Sequence, residues 1–551
     1  MNPTSHPQRT LYPLTRALTA VTALFCCALL GVSGCSSQSA QEVPEISLPQ
    51  GKADGPAPVR PGDCPGGAPK LVDGRPAAWT ILVFQAGDNN LEDYLEEDLQ
   101  EMELGYKNTP QVNVLVQQDR EREDGVWRYE LRHDNDLEVR GSELVGYSSD
   151  EPDTGSWQTL ASFGQWATVC YPAENYVVVV SGHGTGWSEP EDEEDGDPIE
   201  WEDPQQDGGD GDADADAGVP EGDADTPDSP DGEDSGDATE GNGVSEDRAA
   251  TEAEGEPYRA IAFDDTSGSS LDLQELSTAL RFISDAARRD YDPPWMNRLV
   301  IYGSDACLMQ TIEVIQALGD SVTYVVGSEK TEPGKGWPYS TILRELTQRP
   351  FAYARAPQKL AELIVDKYGD SYSLHGGQGY ERDLTLSAVN LDHGQRLVND
   401  VTKITTLLKE LRRESELGEG LDDYIWAARR ESPVFSETYL DLAEFLMSLR
   451  AQLIDAGHMP RKYQHWDGDE RFRTLRNAID EAVEETFEMT LANLDDAAPT
   501  PDGKADGVSV YFPDWKYSYV LSLEDYMESP FSKETGWGEL VLALLETRYP
   551  Y

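Results

Sequence analysis

Two residues of this chain have the types and surroundings for attack on a carbonyl, Cys307 and His183. The apolar run Leu299–Tyr302 ends at Gly303 and Ser304, and Asp305, Ala306 and Cys307 follow. Leu308, Ile312, Ile315 and Leu318 then recur at helical spacing, with Gly319 as a stop. This pattern predicts a buried strand, a sharp turn and a helix, with Cys307 near the helix's first turn. Backbone N–H groups and the helix dipole there favour the nucleophilic thiolate. A free cysteine is also a common small core residue, so Cys307 acquires meaning only beside a base. Tyr176–Val180 reads as a second buried strand, ending at Ser181-Gly182-His183-Gly184-Thr185-Gly186-Trp187. Of the seven histidines, only His183 follows a buried strand between glycines that let a substrate backbone come close. The other six lie in an N-terminal targeting segment or in polar, loop-like stretches. Cysteine attack needs a base, donors for the developing oxyanion and a pocket for the neighbouring side chain. His183 is the candidate base, and the N–H groups of Gly184 and Cys307 are the candidate donors.

The elements that must position this pair alternate. Thr80–Phe84 and Val112–Val116 read as further buried strands, with a helix face at Leu91, Leu95, Leu99 and Met102 between them. Trp127–Leu131 starts a hairpin, Ala260–Phe263 reads as a short strand, Leu271–Ile283 as a helix and Thr323–Gly327 as a strand. Near-continuously apolar strands alternating with helices predict an α/β fold, a mostly parallel sheet covered on both faces. Ligands of such sheets sit at the carboxyl ends of the strands. His183 and Cys307 both fall there. After about Phe351 the pattern is largely helical, at 357–368, 395–413, 439–453, 472–491 and 540–546, with a late strand in Gly507–Pro513.

The chain has 551 residues and a formal net charge of -62. That field repels polyphosphate and excludes nucleic acid as a partner, while attracting cations and basic peptides. Arg9 and Arg16 precede an apolar run from Ala17 to about Leu30 and then Val32-Ser33-Gly34-Cys35. Residues 1–34 therefore read as a secretory signal, and a cysteine directly after Val-Ser-Gly resembles a bacterial lipobox. The resemblance implies lipidation of Cys35 and a chain held to a membrane through its N-terminal lipid. Ser36 follows, with no Asp at that place, so the outer membrane or the cell surface is the expected location. Residues 35–75, rich in Pro, Gly and Ser, read as a flexible tether. Cys64 and Cys170 are candidates for a disulfide in an oxidising compartment. That pairing would leave Cys307 as the odd thiol.

From 188 to 256 the composition turns acidic, with Arg248 its only basic residue, and no apolar content can order it. Asp210, Asp212, Asp214 and Asp216 alternate in a way that could collect Ca2+ diffusely, but the loop-closing Glu of an EF-hand is missing. No metal ligand set is evident.

Five blocks of this chain resemble the clostripain cysteine peptidases, relatives of caspases, legumain and the gingipains. They are WTILVFQAGDNNLEDY from Trp79, VVVVSGHGTGW ending at Trp187, AFDDTSG from Ala262, SDACLMQTIEV from Ser304 and GSEKTEPGKGWPYS from Gly327. The resemblance implies a caspase-like peptidase domain over 76–350, with the acidic insertion inside it and a mostly helical region, 351–551, packed on it. It implies a secreted, lipid-anchored endopeptidase acting on polypeptides, with His183 as base, Cys307 as nucleophile, and cleavage after Arg or Lys. Asp305, two residues before the nucleophile, would face the side chain of the residue before the scissile bond (P1); a cap on the following helix is its structural alternative. Asp264 and Asp265 match an acidic block and read as loop-ordering or pocket-shaping. Lys335 departs from the pattern, standing where relatives often carry an acid, and inside the pocket it would oppose a basic side chain. No cofactor is implied for the chemistry, although some relatives depend on Ca2+. Related enzymes are cut between the His and Cys blocks, which makes Arg248 and Arg259 candidates for self-cleavage; a chain that stays intact on long incubation would exclude it. The rival reading is a non-enzymatic surface lipoprotein that uses the same scaffold and the acidic insertion to bind proteins or cations.

Overall fold

The computed structural model describes residues 55–187, 260–289, 298–455 and 470–548, except 124, 137–139, 150, 414–417, 436–437, 496–504 and 515–525. These residues all fall in one compact unit. Cys35, Arg248, Arg259 and the acidic insertion lie outside them.

Fourteen strands occur among the described residues, in chain order β1 Ala77–Gln85, β2 Val112–Gln118, β3 Val126–Glu130, β4 Glu143–Ser148, β5 Ala173–Ser181, β6 Ile261–Asp264, β7 Ser269–Leu271, β8 Arg298–Asp305, β9 Tyr324–Gly327, β10 Thr385–Asn390, β11 Val434–Phe435, β12 Tyr439–Asp441, β13 Thr490–Asp495 and β14 Ser509–Tyr511. Nine form the main sheet, in the order β13-β10-β9-β8-β5-β1-β2-β3-β4. The five central strands, β9, β8, β5, β1 and β2, are parallel. An antiparallel pair closes each edge. This is the expected sheet, flanked by helices on both faces.

Strand β1 shows why it is central. All nine of its residues are buried. Leu82 and Phe84 join one core cluster and Ile81 and Val83 the other, the two-residue alternation of a strand covered on both sides. On the first face lie the helices Trp157–Cys170 and Leu273–Arg289, contributing Leu160, Phe163, Leu276 and Ile283. On the second lie Glu92–Gly105, Tyr339–Gln348 and Gln358–Ser371, contributing Leu99, Leu343 and Leu360.

The region after residue 350 is helical, as read, but also supplies β10 and β13 to the main sheet and β11, β12 and β14 to a small one. Tyr439–Asp441, expected within a helix, is β12; the helix starts at Leu442, where the Asp441 side chain accepts the Glu444 N–H at 2.7 Å. The tether also ends earlier than expected. Cys64 is buried and bonded to Cys170, and the Lys70 N–H donates to the Cys170 carbonyl at 2.7 Å.

Candidate active site

Parallel register brings the two chemical residues together. In the pairing of β5 with β8, Ser181 lies opposite Asp305, the last residues of their strands. His183 and Cys307 each stand two positions further on, so both emerge from adjacent strand ends. Adjacent strands are about 4.8 Å apart. Gly182 crosses over with φ 145°, a value that favours glycine, and donates to the Asp305 carbonyl at 3.2 Å. A side chain at Gly184 would put its Cβ 2.6 Å from the Cys307 carbonyl oxygen, so the two turns touch only because that residue is glycine.

The turn holding Cys307 is longer than its periodicity suggests. Leu308 is left-handed at φ 60° and donates to the Lys330 carbonyl at 2.9 Å, while Gln310 donates to Ser328 at 2.9 Å. The helix starts only at Ile312, and Thr311 caps it by accepting from the Val314 N–H at 3.2 Å. Cys307 is therefore not in a helical first turn, and Asp305 is not the cap. Burial outweighs the lowering by the Glu332 N–H and pushes the Cys307 thiol up to about 12. The Glu332 N–H contacts its sulfur at 3.3 Å. Burial lowers His183 to about 4, so the imidazole is neutral near pH 7. Its Nε2 donates to Asn90 Oδ1 at 2.6 Å, which leaves Nδ1 as the basic nitrogen. The Phe263 ring meets it edge-on, 6.2 Å between centroids.

Asn90 was legible only as a turn residue in Gly87-Asp88-Asn89-Asn90. Its neighbour Asn89 builds that turn, donating to the carbonyls of Ala86 and Phe263 and accepting from the Leu91 N–H. No spacing rule ties Asn90 to a histidine 93 residues away.

His183 and Cys307 open into a cleft of about 510 Å³, which Asn90, Asp98, Asp305 and Glu332 also line. Asp305 forms part of its floor. Tyr339 donates to Asp305 Oδ2 at 2.7 Å and Ser181 at 3.4 Å. Gly336, at φ 53°, lies so close that a Cβ there would stand 2.7 Å from Asp305 Oδ1. Burial raises the Asp305 carboxyl to about 6. Lys335 also lines the cleft, but it is exposed and donates to the Gln378 carbonyl at 3.2 Å.

Asp264 and Asp265 are not among the lining residues. Asp264 is buried and accepts the N–H groups of Thr154 and Ser267 at 2.8 and 2.7 Å, ordering the β6–β7 turn; Asp265 is exposed. Gly184 pairs with Ile261 through the carbonyl of His183 and the N–H of Thr185, an arrangement that does not use the Gly184 N–H.

Among the described residues, one group has the spacing to hold a metal ion, His393 with Glu485 and Glu488. Arg396 already contacts both His393 and Glu485, at 2.7 and 2.6 Å, and its fixed charge opposes a cation there. Among the described residues no helix is long and apolar enough to cross a membrane.

The sequence profile of the clostripain family matches residues 83–206 and 241–543. The clostripain of Hathewaya histolytica is 28% identical over 123 residues, 19% of this chain and 23% of that protein, so the match spans about a quarter of that relative. Two solved structures are similar to this chain. One is an inactive zymogen C11 protease from Parabacteroides distasonis, at TM-score 0.49 and 15% identity, over 84% of this chain and 98% of that one. The other is a secreted C11 cysteine protease from Bacteroides thetaiotaomicron in complex with an irreversible peptide inhibitor, at TM-score 0.49 and 16% identity, over 84% of this chain and all of that one.

Proposed function

This chain belongs to the clostripain family of cysteine peptidases, and from that premise we propose that it is an exported, Cys35-anchored endopeptidase that cleaves after basic residues with a Cys307–His183 dyad. The observation that carries the reading is the β5–β8 register, Ser181 against Asp305, which sets both turns on one cleft with a carboxylate floor.

The resting charges dictate the order of events. With the thiol raised and the imidazole lowered, the pair starts neutral. His183 takes the Cys307 proton at Nδ1 as the sulfur adds to the P1 carbonyl, while Nε2 stays on Asn90. The N–H groups of Gly184 and Cys307 receive the oxyanion. The imidazolium then gives its proton to the leaving amine, and a thioester remains. Water, deprotonated by the same nitrogen, hydrolyses it and restores the thiol. Asp305 receives the basic P1 side chain by charge pairing in a low-dielectric floor. Lys335, exposed at the rim and turned to Gln378, leaves that floor to the carboxylates.

The test uses the chain lacking residues 1–35 and fluorogenic peptides with Arg, Lys, Asn or Asp at P1, with and without Ca2+. Turnover after Arg or Lys is expected, falling at least about a thousandfold in Cys307→Ala and in His183→Ala. Folded protein that cleaves none of the peptides would remove the enzyme reading and favour a binding role for the scaffold. Recovery of a full-length Cys35→Ser chain in the membrane fraction would remove the lipid anchor.

A further inference from the structure

The turn that carries His183 is held by two partners, and one of them comes from the region after residue 350. The first is β6: Ala262 donates to the His183 carbonyl at 3.2 Å, and Thr185 donates to the Ala260 carbonyl at 2.9 Å. The second is Tyr439, buried at the start of β12. Its hydroxyl donates to the Thr185 carbonyl at 2.9 Å and accepts the Trp187 N–H at 2.9 Å. Gly186, between those two residues, has φ 76°. A Cβ on it would stand 2.4 Å from the Tyr439 hydroxyl oxygen and 3.1 Å from the Leu308 carbonyl oxygen. The histidine turn thus lies against both Tyr439 and the turn of the nucleophile.

The same small sheet also grips the nucleophile's side. In the pairing of β12 with β14, Tyr439 lies opposite Tyr511 and Asp441 opposite Ser509. The Ser509 N–H donates to the carbonyl of Gln310, at the end of the Cys307 turn, at 3.0 Å. The Tyr511 N–H donates to Glu313 Oε1 at 3.1 Å, in the helix that follows that turn. The Tyr511 ring packs edge-to-face with Trp187, with centroids 5.0 Å apart. Two paired strands therefore hold the two turns, β12 the one with His183 and β14 the one with Cys307.

We propose that Tyr439 is a positioning residue for the peptidase reaction, whose hydroxyl fixes the Gly184–Trp187 backbone so that the Gly184 N–H and His183 meet the adduct on Cys307. The inference rests on the peptidase reading above. A hydroxyl donates and accepts at once, so it ties a carbonyl and an N–H two positions apart to a single point. Phenylalanine fills the same space, does neither, and takes this partner from both backbone groups. Reacting geometry tolerates little displacement, and a shift of about 1 Å costs about a hundredfold in rate. Tyr439, Thr185 and Trp187 are not among the residues that line the cleft. Loss of the hydroxyl should therefore weaken the transition state and leave ground-state binding of the peptide unchanged.

The experiment compares Tyr439→Phe with the parent on whichever of the four fluorogenic peptides the parent cleaves best, and on a peptide aldehyde of the same sequence. The Cys307 sulfur adds to the aldehyde carbon, the C=O π pair moves to oxygen and the thiol proton passes to His183, so the adduct places an oxyanion at the same donors with no leaving group. In Tyr439→Phe kcat should fall about tenfold to a hundredfold, with KM within about twofold. The aldehyde's inhibition constant should rise by the factor that kcat/KM loses. Binding of the intact peptide to Cys307→Ala should be the same with and without Tyr439→Phe. An unchanged kcat in Tyr439→Phe, with an active parent, overturns this inference and leaves the peptidase reading standing. A lower kcat with unchanged aldehyde binding also overturns it, and so does an equal loss in binding of the intact peptide, the signature of a general brace. A parent that cleaves none of the peptides removes both readings. If Tyr439→Phe does not fold, Gly186→Ala, whose Cβ pushes against the Tyr439 oxygen, decides by the same split: loss confined to kcat and aldehyde binding supports the role, and unchanged kcat overturns it.

Discussion

His183 and Cys307 owe their resting states to burial rather than to each other. Burial disfavours whichever form carries charge, so it moves an acid up and a base down. The thiol goes up to about 12 and the imidazole down to about 4. A preformed thiolate–imidazolium pair would alkylate at a rate that plateaus through the acid-to-neutral range. A neutral pair should instead react with iodoacetamide about tenfold faster per pH unit from pH 6 to 9, with no plateau. A plateau below pH 7 in the wild type, lost in His183→Ala, would show that the ion pair forms without substrate. The first-turn position read for Cys307 would have favoured that outcome. The extra turn through left-handed Leu308, with the helix delayed to Ile312, removes it.

At the scale of elements, the strands announced themselves where they are buried on both faces, as in Tyr176–Val180 and Thr80–Phe84. Such runs leave few alternatives to a central strand. β13 did not. It follows the helix Glu470–Met489 without a break and is mostly half-buried, so a helical pattern runs into it unmarked. The segment before β1 was misread for a related reason. Its composition is that of a linker, and what fixes it is a cross-link to a residue 106 positions away. Removing that link with Cys64→Ala and Cys170→Ala together should cost about 2–5 kcal/mol of stability and lower the unfolding temperature, with turnover at lower temperature retained. An unchanged unfolding temperature would show that the N-terminal segment contributes nothing to the domain. The cleft lies on a different part of the fold, at the strands' carboxyl ends, so activity and stability should separate in this variant.

For the whole molecule the dominant quantity is negative charge, -62 in all, and some of its carriers are buried in the fold. Burial raises Asp119 and Asp441 to about 8 and Asp305 and Asp264 to about 6, and it raises Glu313, Glu329 and Glu332 as well. The sign follows directly. These groups hold protons in the folded state at pH values where the unfolded chain has lost them. Their contribution to stability is complete below the unfolded carboxylate range and is lost as pH rises through the folded values, about 6 for Asp264 and Asp305 and about 8 for Asp119 and Asp441. Self-repulsion of the acidic chain acts in the same direction. His183, lowered to about 4, opposes the trend at the acid end as a single group. Thermal unfolding of Cys307→Ala should therefore occur at least a few degrees higher near pH 5.5 than near pH 9. An unfolding temperature that rises across that interval would mean the buried acids are ionised and otherwise compensated.

By itself the sequence determined the chemistry's raw material and its frame. Apolar runs buried on two faces can be little else than central strands, and a cysteine and a glycine-flanked histidine just past two of them must reach the ligand edge of the sheet. The local blocks were enough to place the chain's family. What only the tertiary structure decided depends on residues distant in sequence. The acceptor for His183 is Asn90, 93 positions away, and the partners of Asp305 come from β5 and from the helix after Trp337. Lys335 is carried to the rim by Gln378, and Glu332 is brought beside Cys307, its N–H on the sulfur. Charge state follows from burial and from which side chains share a cavity. It is not a property of any one stretch of chain, because desolvation is set by everything that packs around a group.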